Sequence, residues 1–212
     1  MASQDHIAIL RAGVEKWNKW REENNASQAD LEKAHLREVN LREVNLVRAN
    51  LGRANLGGAN LRGAFLQGAN LGEADLGGAD LRAADLRMVN LEGANLCGTN
   101  LGGANLGGAN LRRANLWKAN LREANLWRAD LRGVDLDEVK SFYKAKLDTE
   151  VLSRIKANWP EKLASMWDVT AKYWILDEAL LEQIKKPGWF GWPEEEGPRY
   201  LDDEQVEAKQ QR

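Results

Sequence analysis

From residue 31 to residue 136 a leucine stands at every fifth position, 22 in succession. Two positions ahead of each leucine lies a second small position, held by Ala in 17 cases, Val in four and Thr once, at Thr99. The residue between the two is Asn or Asp except at His35 and Phe65. The unit is therefore A(N/D)LXX. A spacing of five suits neither regular element. On an α-helix five residues turn through about 500°, so successive leucines step around the axis and form no stripe. On a strand an odd spacing sends successive leucines to opposite faces. A chain that turns a corner once per unit removes the conflict. Four units close a square of 20 residues, and each Leu stacks on the Leu 20 positions later. Leu and Ala then point inward and the X residues point out. Asn and Asp are expected at the corners, because their short side chains bond nearby backbone and tolerate unusual dihedrals. Gly pairs such as Gly57-Gly58 and Gly107-Gly108 fall outside and weaken no inward contact.

The pattern predicts order, although its low complexity suggests disorder at first sight. Each buried Leu contributes roughly 1.5–3 kcal/mol, and backbone groups pair with the coils above and below, as in other solenoids. The run of A(N/D)LXX units resembles the pentapeptide repeat family. The resemblance covers about half the chain and implies a right-handed quadrilateral β-helix, a β-solenoid. At about 4.8 Å per coil, five and a half coils give a rod roughly 26 Å long. The resemblance implies little about activity, although some members of the family protect topoisomerases by imitating DNA.

An open solenoid end exposes apolar side chains and unpaired edges, so caps are expected. Residues 5–23 read as one amphipathic helix with Asp5 as N-cap and Ile7, Leu10, Val14 and Trp17 on its apolar face. It is expected to lid the first coil; its balanced charge argues against a membrane-surface helix. After Leu136 the frame fails, since Ser141 stands where Leu is due, and Ala145-Lys146-Leu147 looks like a late, shifted repeat. Helices are expected over 149–157, from Glu161, and from Asp177 to Lys186, with breaks at Trp159-Pro160 and Pro187-Gly188. The organisation is thus 1–28, an N-terminal helical cap; 29–140, the repeat solenoid; 141–188, a C-terminal helical segment; and 189–212, an acidic, Trp- and Pro-containing tail, expected to be mobile.

Charge and chemistry add little that points to catalysis. The formal net charge is −2, so no whole-molecule field points to nucleic acid or an acidic partner. One cysteine, Cys97, permits no internal disulfide, and with only His6 and His35 besides, an all-protein zinc site is not expected. No cofactor is expected. Neither a leader nor an 18-residue apolar run is evident, so the expected setting is the cytoplasm, without a membrane. A nucleophile needs an adjacent base; Cys97 has no His near it in the repeat lattice, and no phosphate loop or hydrolase elbow is present.

Three outward features remain. One column reads Arg42, Arg62, Arg82, Gly102, Arg122. Like charges about 4.8 Å apart repel by roughly 0.9 kcal/mol in water, so the column is either an anion-binding stripe or a solvated face whose arginines splay and pair with Glu43 or Glu123. Trp117 and Trp127, the only Trp in outward repeat positions, lie on opposite faces and are either covered by the C-terminal segment or form a partner site. Phe65 is a tolerated exception in the Asn position or a partner contact. The reading that best fits is a non-enzymatic scaffold, monomeric or dimeric, that binds another protein. A DNA-mimicking topoisomerase modulator and a ligand site in the Trp-rich C-terminal segment are the alternatives.

Overall fold

The coil repeats every 20 residues in a computed structural model that describes residues 3–24, 28–136, 139–140 and 145–147. Parallel bridges join each residue before a Leu to its counterpart 20 positions on, from Asp30↔Asn50 through to Asn110↔Asp130. All 22 repeat leucines are at most 3 % exposed. The second apolar column is buried as well, with Val39 only partly so. Thr99 fits this dry interior because its Oγ1 donates to the Leu76 carbonyl at 2.7 Å, which satisfies a hydroxyl that would otherwise cost about 1–3 kcal/mol.

The corner lies elsewhere than the sequence predicts. Asn and Asp occupy the middle of each straight side, within the Ala-Asn-Leu segment that bridges to the neighbouring coils. The two X residues turn the chain. The Ala amide closes each turn on the preceding Leu carbonyl, as Ala94 does to Leu91 at 3.0 Å. The second X residue takes the left-handed φ, between 55° and 72° in every unit from Lys33 to Gly133, and twelve of those residues are not glycine. Asn does bond nearby backbone, as expected, but in extended geometry: its Oδ1 reaches forward to the amide two residues on, as in Asn90 Oδ1 accepting from Glu92 N at 3.1 Å.

One unit, Leu91 to Asn95, accounts for all five of its amides. Leu91 N donates to Asn110 O at 2.7 Å and Gly93 N to Arg112 O at 2.9 Å, both in the following coil. Asn95 N donates back to Ala74 O at 2.9 Å. Ala94 N closes the turn and Glu92 N goes to the Asn side chain. No buried donor in the unit is left unpaired, which is what a buried backbone requires. The Asn side chains also ladder along the rod: Asn110 Nδ2 to Asn90, Asn90 to Asn70, Asn70 to Asn50 and Asn50 to Asp30, at 2.9–3.2 Å. Each amide donates toward the N-terminal end, so the ladder starts on Asp30, whose carboxylate only accepts and has no N–H left to satisfy.

The N-terminal segment forms two helices, α1 (Gln4–Arg11) and α2 (Val14–Glu23), where one was expected. Gly13, at φ 120°, separates them, a conformation open to residues without a Cβ. Ser3, not Asp5, caps α1, its Oγ accepting from His6 N at 3.4 Å. The predicted apolar face is the packed one: Leu10 and Trp17 are buried, and Ile7, Val14 and Trp20 pack partly buried against the core.

These helices supply partners that the first coil lacks below it. Trp17 Nε1 donates to Asn45 O at 2.7 Å. Asn18 accepts from Asn45 N at 2.8 Å and donates to Glu43 O at 3.1 Å. Arg21 donates to Val47 O at 2.9 Å, and its burial lowers the guanidinium pKa. His6 Nδ1 accepts from Asp30 N at 3.0 Å, and Asp30 O accepts from Ser3 N at 3.1 Å. At the far end Lys140 still occupies its Asn position, donating to Ala119 O at 2.9 Å. Then the frame slips by one. Lys146 bridges Asn125, and Ala145 and Leu147 are buried in the inward positions. The helices and tail expected from 149 onward lie outside the described residues.

Candidate interaction surface

The square coil turns its sequence into eight outward columns: four along the sides, one residue per coil, and four along the corners, two per coil. The third corner carries Arg42, Arg62, Arg82, Gly102 and Arg122 in its leading position, and the fourth carries Val47, Gln67, Arg87, Gly107 and Trp127. Columns are straight because bridged residues sit about 4.8 Å apart along the rod.

The arginine column does not converge on a common point. Arg42 bonds Glu43 at 3.0 Å and Arg122 bonds Glu123 at 3.1 Å, as the solvated-face alternative expects. Arg82 instead turns back two residues to Asp80, with Nε and Nη2 contacts of 2.6–3.1 Å. Arg62 makes no ion pair among the described residues. The Asp80 arrangement recurs wherever the text reads Asp-Leu-Arg: Arg87 forks onto Asp85 and Arg132 onto Asp130. The fork is bidentate and charge-assisted. Hydrogen bonding from the guanidinium holds all three carboxyls below the usual Asp range, against partial burial that acts the other way. Across coils, Arg53 Nε reaches Glu73 at 2.9 Å, which lowers the Glu73 pKa in the same way. The signal for these forks was in the sequence, in the choice of Asp over Asn two residues before Arg.

Trp117 and Trp127 stand at diagonally opposite corners, 44 % and 46 % exposed. Lys118 Nζ lies 4.0 Å from the Trp117 ring centroid, a cation–π contact of about 0.5–1 kcal/mol at such a site. Phe65, on the fourth side, is 47 % exposed, and Met88, on the fourth corner, is 71 % exposed. The sequence reading missed Met88, although its outward column was legible. Cys97 is half-buried on the second corner. His35 lies three coils below it, about 14 Å along the rod, too far to act as its base. Among the described residues no group of three or more His, Cys, Asp or Glu is placed to hold a metal ion. No helix of the described residues is long and apolar enough to cross a membrane.

The family model "Pentapeptide repeats" matches eight copies, over residues 27–63, 49–87, 64–103, 90–128 and 99–137. The chain belongs to the pentapeptide repeat family. No curated protein matches it. Among solved structures it is similar to the pentapeptide repeat protein Rfr23 of the cyanobacterium Cyanothece 51142, at 34 % identity over 58 % of this chain and 97 % of that one, with TM-score 0.44. It is also similar to HetL of Nostoc sp. strain PCC 7120, a pentapeptide repeat protein involved in heterocyst differentiation regulation. There identity is 40 % over 56 % of this chain and 62 % of that one, with TM-score 0.22. QnrB1, a plasmid-mediated fluoroquinolone resistance protein, aligns at 21 % identity over 62 % of this chain and 70 % of that one, with TM-score 0.41.

Proposed function

We propose that this protein is a non-enzymatic scaffold that presents fixed columns of side chains to another protein in the cytoplasm, as a monomer or dimer on a right-handed coil. The observation that carries the reading is the division of labour within each unit. Leu, Ala and the Asn side chain are committed to the lattice, and only the corner residues vary freely. A surface of that kind holds aromatic and charged groups at set spacings without the ordering cost that loops incur on binding.

The corner chemistry speaks against imitation of DNA. Duplex DNA carries about one negative charge per 1.7 Å, whereas the outward X positions hold 14 Lys or Arg against 8 Asp or Glu. Three of the Asp residues on the sides are occupied by arginine. The scaffold reading is tested by affinity capture from the native cell followed by mass spectrometry, with wild type and a Trp117→Ala/Trp127→Ala variant as baits. A protein retained by the first and lost from the second supports it. Identical recoveries from both baits would remove these corners as the contact.

A further inference from the structure

The fourth corner and the side before it differ from the other three in two ways. First, of the four exposed large hydrophobic residues among those described, three are there: Phe65, Met88 and Trp127. They form a strip. Trp127 stands one coil above the Gly107-Gly108 pair, and the Met88 thioether lies over Gly108, where an added Cβ would come within 2.6 Å of the sulfur. Second, its corner positions carry Arg48, Arg87 and Arg128 and, among the described residues, no carboxylate, while each other corner holds Glu: Glu32, Glu73 and Glu92; Glu38; Glu43 and Glu123. The one acid on the adjoining side in this stretch, Asp85, pairs with Arg87 and Gln67, which leaves the corner and side together a net charge of +2.

The last described residues also lie at this place. Lys146 bridges Asn125 within the column of the fourth side, and Leu147 follows it into the core. Leu147 thus stands just before the fourth corner, one coil beyond Trp127. Residues 148–188 are nearly balanced, with 6 Lys or Arg and 7 Asp or Glu. Residues 189–204 are not: Glu194, Glu195, Glu196, Asp202, Asp203 and Glu204 face only Arg199, and Trp189, Phe190, Trp192 and Tyr200 stand among them. That is the complement of the strip in both charge and apolar character.

We propose that residues 189–204 dock along the fourth corner of their own solenoid, aromatic side chains against Met88, the Gly107-Gly108 step and Trp127, carboxylates toward the corner's guanidiniums. Reach is ample. From Phe65 to Trp127 is about 14 Å along the rod, the span of roughly five extended residues, and the 41 residues 148–188 connect Leu147 to the segment. Tethering makes the docking step intramolecular, so individually modest charge-assisted contacts suffice to hold the segment. The contact is intramolecular and stands whether or not an external partner exists. A partner that uses this corner must displace the tail.

The test places a benzophenone side chain on the corner, Met88→benzoylphenylalanine, in the full chain at low micromolar concentration, with irradiation and peptide mass spectrometry. Cross-links within one molecule to peptides of 189–204 are expected, falling several-fold in the Glu194→Gln/Glu195→Gln/Glu196→Gln variant and in 1 M salt. Cross-links to 148–188, cross-links between two copies, or none at all would overturn the proposal. A readout that leaves the corner unaltered is peroxide oxidation of Met88 followed by mass spectrometry. Oxidation is expected to be several-fold slower in the wild-type chain than in the triple Gln variant. Equal rates would overturn it as well.

Discussion

Trp17 closes the N-terminal end of the rod, and its removal should loosen that end before any other part. The side chain is fully buried and its Nε1 donates to the Asn45 carbonyl at 2.7 Å. Its ring sits 5.2 Å from Trp20 and 6.4 Å from His6, centroid to centroid. Trp17→Phe keeps most of the apolar bulk and strands the carbonyl, which should cost about 1–3 kcal/mol. Trp17→Ala adds a cavity, and truncations of that size cost about 3–5 kcal/mol. In a solenoid each coil is held by its neighbours, so the loss should fall on the cap and the first coil. Every 1.4 kcal/mol is about tenfold in an equilibrium. Amides of the first coil, such as Leu41 and Leu46, should therefore exchange at least a hundredfold faster in Trp17→Ala. Those of the central coil, such as Leu91 and Gly93, should change little. The uncapped edge should also promote end-to-end association, visible by sedimentation velocity. Unchanged exchange in the first coil of Trp17→Ala, or acceleration spread evenly along the rod, would refute the cap and its local energetics.

Other outcomes follow from the same lattice. Leu91→Ala should destabilise by about 2–5 kcal/mol, and Gly103→Ser, open to solvent but at φ 66°, by about 1–2 kcal/mol for the left-handed strain; equal melting shifts would contradict the inward and outward assignment. The Asp-Leu-Arg forks should make stability fall in acid. Asp80, Asp85 and Asp130 titrate lower folded than unfolded, so their contribution is present above the ordinary Asp value of about 3.9 and is lost as pH drops through the folded values. A Asp80→Asn/Asp85→Asn/Asp130→Asn variant should show a shallower acid limb in denaturant melts, and an unchanged limb would show that the forks contribute nothing. Purified protein in excess should neither inhibit DNA gyrase supercoiling nor protect it from a quinolone; specific inhibition at low micromolar protein would reverse the reading of the corner charges.

Much of the fold was legible because five-residue spacing admits few solutions. Leu31 to Leu136 and their Ala partners could be assigned inward from periodicity alone, since burial depends on side-chain type. The turn could not be located that way. Asn is at home both in turns and in the forward bond it makes here, and composition does not distinguish the two. The decisive clue, Gly enrichment in the second X position beside twelve Lys, Arg, Glu, Ala or Met, was diluted by those twelve, each followed by the small-residue amide that closes the turn on the preceding Leu carbonyl. The break at Gly13 was masked by helical spacing that continues across it from Leu10 to Trp17. At the surface, Arg82 could have been paired with Asp80 by the Asp-Leu-Arg reading. The outward place of Met88 was legible too; its approach to Gly108, 20 residues away, needed the coil itself.

The 20-residue period governs how such a chain can change length. Inserting or deleting one pentapeptide leaves every Leu on a Leu and every amide with a partner, but turns all that follows by a quarter revolution about the axis. An Arg column would then continue as the column of a different corner, and Trp127 would move to an adjacent edge. Four units restore the original alignment and only lengthen the rod. A core that tolerates steps of five and a surface that tolerates only steps of twenty can therefore diverge independently. A duplication in the gene would shuffle what the corners display while leaving the interior as it was. The one-residue slip between Lys140 and Ala145 marks the other case, a step that neither period absorbs.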